Sequence, residues 1–377
     1  MKILLVGEYF SENLGDPLLC RTVERLLIRE FPEAEIIPFD LSGRISETEY
    51  FEPRTSPFWE WLTGWLYDRF LYYRRFAILR AYDKDRERLQ RIWYHMGQLQ
   101  KQHCFDLVVF AGGSLFMDYF AGPIYLILRR LTFRRTKVIF HACGLSNLDD
   151  DAVYLLRQVL KLRNVVSVSL RDSYDRFKEL FATKAKVVET YDTALNCSRL
   201  YSGATEKKLP LGIGLIDRCY DQQLSLVRYF LRRDIRWKAF TNGSPYDWEY
   251  AAKILTDAGI SSAQLPEYLE PRPETVQQLI DTVTGFEKII AFRMHCQIVA
   301  ASFGVPSFGF AWDTKVSEFY EKLGFPRGAT AGTDDFEEME RILASYDPGI
   351  HAIALSQGEE SRQCLIGAVR AAMGNKI

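Results

Sequence analysis

Hydrophobic positions along the chain fall into two recurring patterns: short unbroken apolar runs, and longer stretches with apolar residues three and four apart. Ile3–Val6 is the first run, the form taken by a parallel strand buried on both faces. It leads through a loop, Gly7 to Gly15, into a helix predicted from about Pro17 to Phe31. Ile36–Phe39 predicts the next strand, and Leu107–Ala111, Val138–His141, Val165–Ser169 and Lys186–Glu189 follow. Glycine-containing turns are expected after Leu107–Ala111 and Val138–His141. Helices are predicted over Ile124–Arg134, Asp150–Lys161 and Asp172–Phe181. Strands alternating with helices imply an α/β, doubly wound parallel sheet.

A polar stretch at 198–209 reads as a linker. The alternation then restarts, with strands at Leu211–Leu215, Trp237–Thr241, Ile289–Phe292 and Ser307–Phe310, and helices near 220–232, 246–258, 273–284, 294–303 and 314–323. The expectation is an N-terminal domain over 1–200, a C-terminal domain over 208–345, and a helix within 350–377 that packs back on the first domain.

Between about residues 56 and 103 the alternation breaks. This insert is rich in Trp59, Trp61, Trp65, Tyr67, Phe70, Tyr72 and Tyr73, interleaved with Arg69, Arg74, Arg75 and Arg80. From Arg69 to His103 there are nine Lys/Arg against three Asp/Glu, so the segment is locally basic. One reading is a helical pair whose aromatics fill a local core. The other is a peripheral contact with the inner face of a membrane.

Composition narrows the class. A chain of 377 residues suits two domains, and 47% apolar with 26% charged residues is globular. A net charge of −1 gives no global field for nucleic acid, so no nucleic-acid partner is expected. Seven scattered cysteines without a CxxC pair or a zinc-type cluster point to a reducing, cytoplasmic compartment and no metal. The apolar run at the N-terminus is too short for a signal peptide, and no stretch is long enough to span a bilayer.

Candidate chemistry lies where strands end, because open α/β sheets bind ligands at the carboxyl ends of their strands. The first loop is Gly7-Glu8-Tyr9-Phe10-Ser11-Glu12-Asn13-Leu14-Gly15-Asp16. Asp16 there is either functional or a helix cap. Gly112-Gly113-Ser114 is either a turn that admits a ligand to the backbone, with Ser114 donating or capping, or a turn only. Arg171 can grip a carboxylate or phosphate through two parallel bonds, or pair with Asp172 or Asp175. Arg293-Met294-His295 opens a helix after a buried strand. The two side chains and the helix N-terminus suit an anion, and a histidine is readily tuned to give up a proton near neutral pH. A buried structural histidine is the alternative. Asp313 and Lys315 offer either a cap with a solvated lysine or a further anion contact.

The order of these motifs resembles the polysaccharide pyruvyltransferase family. Members open with a strand and a G-x-x-N-x-G-D type loop, here Gly7 through Asn13-Leu14-Gly15-Asp16. A Gly-Gly-Ser turn follows, here Gly112-Gly113-Ser114. Then come an R-D pair, here Arg171-Asp172, and an R-L-H motif, here Arg293-Met294-His295. A G-V-P turn at Gly304-Val305-Pro306 and a D-x-K-V segment at Asp313–Val316 complete the set. The resemblance spans about residues 1–326 and leaves out the aromatic insert. The sequence departs from the family at His141–Asn147 and at Asp192-Thr193-Ala194, on what would be the acceptor side.

The resemblance implies two Rossmann-like domains facing across a cleft, as in the GT-B glycosyltransferases, with the active site between them centred on Arg293 and His295. It implies phosphoenolpyruvate as donor, a sugar or lipid-linked glycan as acceptor, a pyruvate ketal as product, and neither cofactor nor metal. His295 would be the general acid and Asp16 the base. Arg171, Arg293 and Lys315 would hold the donor, with Asn13, Gly113, Ser114 and Asp313 nearby. Two other readings stay open: a nucleotide-sugar glycosyltransferase on the same fold, and a non-catalytic glycan-binding protein.

Overall fold

The structure, a computed structural model, describes residues 1–46, 77–131, 136–205, 209–330, 332 and 335–374. The chain forms two compact α/β units. Unit 1 comprises Met1–Phe10, Leu19–Asp192 and Ser361–Ile377; unit 2 comprises Ser11–Leu18 and Thr193–Glu360.

Unit 1 is built on a six-stranded parallel sheet of order β2-β1-β3-β4-β5-β6. The strands are β1 Lys2–Gly7, β2 Glu35–Asp40, β3 Leu107–Phe116, β4 Lys137–Leu145, β5 Val165–Leu170 and β6 Lys186–Glu189. Helix α1 (Gly15–Glu30) follows β1. Then come α2 (Ala77–Lys84), α3 (Arg86–Gln102), α4 (Asp118–Leu131), α5 (Asp150–Leu160) and α6 (Tyr174–Leu180). Ile3, Leu4, Leu5 and Val6 are all fully buried, as an unbroken apolar run on a central parallel strand requires. Phe110 and Phe140 stack on neighbouring strands with ring centroids 4.4 Å apart.

Three local expectations are corrected. The Gly-Gly-Ser turn is not a turn but an irregularity inside β3: Gly112 and Gly113 take φ of 59° and 81°, and pairing with β4 shifts between Gly113 and Phe116. Ser114 therefore lies within a strand and not at the head of the helix that follows, which starts at Asp118. Likewise β4 runs on past His141 to Leu145, bent at Ala142, whose φ is 50°. Helix α4 starts at Asp118, six residues before the predicted Ile124. Pro123, inside this helix, lacks an N–H for the carbonyl of Tyr119. Arg88 Nη2 supplies that bond instead, at 2.6 Å, so the helix runs through the proline.

Of the aromatic insert, the structure describes α2 and α3; Trp59 through Arg75 lie outside the described residues. Beyond 360 the last helix belongs to unit 1, where Ser361 Oγ donates to the Tyr191 carbonyl and Arg362 pairs with Glu30.

Unit 2 carries a five-stranded parallel sheet of order β11-β10-β9-β7-β8. Its strands are β7 Leu209–Gly214, β8 Trp237–Phe240, β9 Phe286–Ala291, β10 Ser307–Phe310 and β11 Ala329–Thr330. Its helices are α7 (Cys197–Leu200), α8 (Tyr220–Leu231), α9 (Pro245–Asp257), α10 (Leu265–Tyr268), α11 (Val276–Thr284), α12 (Met294–Phe303), α13 (Thr314–Lys322), α14 (Phe336–Ala344) and the N-terminal part, up to Glu360, of α15 (Gly349–Met373). The polar stretch read as a linker is tied down where it is described. Ser198 N donates to Ser302 Oγ, and Ala204 N to Thr284 Oγ1.

Candidate functional site

Within unit 2, the loops after β7, β8, β9 and β10 all leave the carboxyl edge of one sheet, and the segment Ser11–Leu18 lies with them. Arg293 is the N-cap of α12 and makes no side-chain capping bond. Its guanidinium turns instead to Asp247, with Nε donating to Oδ2 at 2.9 Å and Nη2 to Oδ1 at 2.8 Å. Nη2 also reaches Asp217 Oδ1 at 3.5 Å. Burial works against the charge on Arg293. The hydrogen bonds it donates to Asp247, and the charges of Asp247 and Asp217, outweigh it and raise the pKa. The carboxylates hold the Nε–Nη2 edge; Nη1 has no partner among the described residues.

Asp247 is a residue the sequence reading missed. It stands third in α9 after the N-cap Ser244, whose hydroxyl accepts from Asp247 N. An acid there ordinarily faces solvent and complements the helix dipole. Here the side chain is fully buried and accepts from Asp217 N at 3.0 Å as well as from Arg293. Burial lifts its pKa, opposed by the bonds from Arg293 and from the backbone of Asp217. Three N–H donors aimed at two oxygens hold it as a carboxylate. The only sequence signal was an S-P-x-D string after a strand, which reads as an ordinary helix start.

His295 is the second residue of α12 and is 9% exposed. Its ring lies against Gly15: a Cβ built on Gly15 would run into Nδ1, Cγ and Cβ of His295. The glycine is needed there for space rather than for backbone conformation. The Asn13–Asp16 loop is fixed by its own polar groups. Asn13 Nδ2 donates to Asp16 Oδ2 at 3.0 Å, and Ser11 Oγ to the same oxygen at 3.3 Å. Leu14 N donates to the Asn242 carbonyl at 3.0 Å, and Asn242 Nδ2 to Asn13 Oδ1. Asp16 is the second residue of α1 and takes bonds from the loop side chains of Ser11 and Asn13. The structure brings Asn13, Gly15 and His295 into one polar neighbourhood, with Asp16 on the same loop.

Asp313 is the N-cap of α13, accepting from Lys315 N at 3.2 Å and Thr314 Oγ1 at 3.4 Å. Lys315 is the second residue of that helix and partly buried. Beside them the Trp312 indole donates to the Phe292 carbonyl at 2.8 Å, and Arg218 lies over its ring.

The remaining expected residues, Gly113, Ser114 and Arg171, belong to unit 1. A Cβ on Gly113 would meet only ordinary contacts, so that glycine answers to its φ. Arg171 follows β5 and is buried, paired with Asp192 and, at 3.6 Å, with Asp172. Asp172 does not head a helix as expected: α6 begins at Tyr174, and Asp172 Oδ1 accepts from Leu145 N at 2.9 Å. Gly144 leaves room for that carboxylate, since a Cβ there would sit 2.6 Å from Asp172 Oδ2. His141, in the same buried region, has Nδ1 3.1 Å from Ser169 Oγ, while its Nε2 has no hydrogen-bond partner among the described residues. Burial lowers its pKa to about 4, against the pull of Asp192. Among the described residues, no group of three His, Cys, Asp or Glu side chains could hold a metal ion, and no helix is long and apolar enough to cross a membrane.

Solved structures with the same fold include a UDP-N-acetylglucosamine 2-epimerase at 10% identity and TM-score 0.60, matching 99% of this chain and 95% of that one. The corresponding enzyme from Rickettsia bellii gives 11% identity and TM-score 0.56 over 100% and 98%. That from Methanocaldococcus jannaschii gives 10% and 0.55 over 91% and 92%. At such identities the likeness is one of fold. No curated protein matches the chain. The polysaccharide pyruvyl transferase family model matches residues 13–314, from the Asn13 loop through Arg293 and His295 to the start of α13, and the chain is a member of that family.

Proposed function

We propose that the protein transfers pyruvate from phosphoenolpyruvate to two hydroxyls of a glycan, forming a cyclic ketal. Family membership supports a pyruvyltransferase acting on a polysaccharide. The observation that carries the finer reading is the pairing of an oriented guanidinium with a histidine at one helix start, the histidine lying against the Asn13–Asp16 loop. An oriented cation suits the donor's carboxylate and phosphate, and a neighbouring acid–base pair suits the proton transfers.

In this mechanism Arg293 grips the donor through its Nη1 side, with Lys315 a second cation and Asn13 and Asp313 fixing the loops around it. His295, as imidazolium, protonates the methylene carbon of the enol phosphate. The first sugar hydroxyl attacks the resulting cationic carbon and gives its proton to Asp16. Phosphate departs with that proton, the second hydroxyl closes the ring, and its proton returns to His295. The balance is phosphoenolpyruvate plus diol giving ketal plus inorganic phosphate. Positioned acid catalysis contributes roughly 10²–10⁴-fold.

Gly113, Ser114 and Arg171 are kept as proposed ligand contacts. Arg171 is the most constrained, since a ligand must compete with Asp192 and Asp172 for it. The acceptor reading extends to lipid-linked glycans through the exposed aromatics of α3 and α4. Trp93 and Tyr119 are about half exposed, with Arg130 and Arg88 over their rings. Aromatic rings beside cations suit the headgroup layer of an anionic membrane on the cytoplasmic side. Co-sedimentation with anionic vesicles tests that extension, and absence of binding removes it. The donor assignment is tested by phosphate release from phosphoenolpyruvate in the presence of glycan, set against nucleotide-sugars; release only from the latter replaces it with a glycosyltransferase.

A further inference from the structure

We infer that Asp247 is a positioning residue that sets which edge of Arg293 faces the donor; the inference rests on the donor reading above. Strands β8, β7 and β9 are neighbours in the sheet, and Asp247 joins the segments that follow all three. It comes from the helix after β8, accepts the amide of Asp217 after β7, and takes two bonds from Arg293 after β9. A carboxylate with no exposure is costly to bury, and an apolar residue of similar size would commonly serve the fold as well or better. Its two oxygens meet Nε and Nη2 in parallel, a geometry that fixes the guanidinium plane as well as its place. With that edge occupied, the guanidinium is left to offer Nη1 to an anion.

Two other roles predict different outcomes. If Asp247 served only to cancel charge, removing its charge would make Arg293 a better anion ligand. If it served only the fold, its loss would lower stability and leave donor affinity alone. The test is calorimetric binding of phosphoenolpyruvate to the full-length protein, wild type and Asp247→Asn, with thermal midpoints recorded in parallel. Asp247→Asn is expected to weaken donor binding by roughly 10- to 100-fold, as misplacement of a substrate-holding group does. In an Arg293→Lys background the same substitution should add less than about twofold, because residues acting as one unit are not additive. Asp247→Glu, which keeps the charge and moves it, is the second variant and should show the same weakening, so the test survives if the asparagine variant does not fold. Unchanged affinity in a folded variant, tighter binding, or full additivity with Arg293→Lys would each overturn the inference. A wild-type protein that binds no phosphoenolpyruvate overturns the donor reading and this inference with it, and that result appears before any substitution is made.

Discussion

Gly15→Ala tests the link between the first loop and His295 with a single methyl group. Gly15 opens α1 with an ordinary backbone conformation, so alanine fits the chain there and is favoured by about 1 kcal/mol in a helix. The added Cβ has nowhere to go, because it falls on the His295 ring. The ring must swing away or the loop must lift, and overpacking of this kind costs about 1–3 kcal/mol. Offset by helix propensity, the net loss is about 0–2 kcal/mol, or a fall in Tm of roughly 0–8 °C for a domain of this size. Activity should respond far more. If His295 is the general acid, displacing its ring removes most of an effect worth about 10²–10⁴-fold. Phosphate release from phosphoenolpyruvate, alongside a thermal melt, reads both quantities. Gly367→Ala is the control, since nothing lies within 4 Å of its added Cβ and it should leave turnover alone. A Gly15→Ala protein that melts near the wild-type temperature and turns over normally would refute the reasoning.

The remaining expectations concern single side chains. His295→Ala should lower turnover by about 10²–10⁴-fold while calorimetry still detects donor binding; normal turnover removes His295 from the acid role. Arg171→Ala strands the buried carboxylates of Asp172 and Asp192 and should cost about 3–5 kcal/mol in denaturant unfolding; a loss under about 1 kcal/mol would show the pair to be dispensable. His141 is buried neutral, with its pKa lowered from 6.5 to about 4. The unfolded chain therefore takes up a proton that the folded one refuses, and stability falls as pH drops from about 6.5 to about 4, by about 3 kcal/mol in all. Chemical denaturation across that range should show this loss shrinking in His141→Gln; equal slopes would contradict it.

Strands were the most legible part of the chain. Lys186–Glu189 and Ser307–Phe310 match their predicted bounds because apolar runs between turn residues mark parallel strands directly. Boundaries slipped where a backbone device or a distant partner intervened. Positive φ at Gly112, Gly113 and Ala142 carries β3 and β4 past their apolar runs, and Arg88 lets α4 pass through Pro123. At the site, the Arg293-Met294-His295 string, the Asn13–Asp16 loop and Asp313 could be read as strand-end groups. Their partners could not. Asp247 lies 46 residues from Arg293 in sequence, and nothing local distinguishes it from a surface acid in a first helical turn. The reason Gly15 must be glycine lies 280 residues away, in the ring of His295.

The proposed reaction moves pyruvate from phosphoenolpyruvate onto a glycan, with Arg293 and His295 at the site. Mass spectrometry of candidate glycans incubated with phosphoenolpyruvate tests it most directly. The expected product carries one pyruvate less one water, a gain of about 70 Da that follows from the acid-catalysed ketal chemistry, appears with equimolar phosphate, and is lost in His295→Ala. Phosphate release without that gain, or a gain that survives His295→Ala at the wild-type rate, would contradict it.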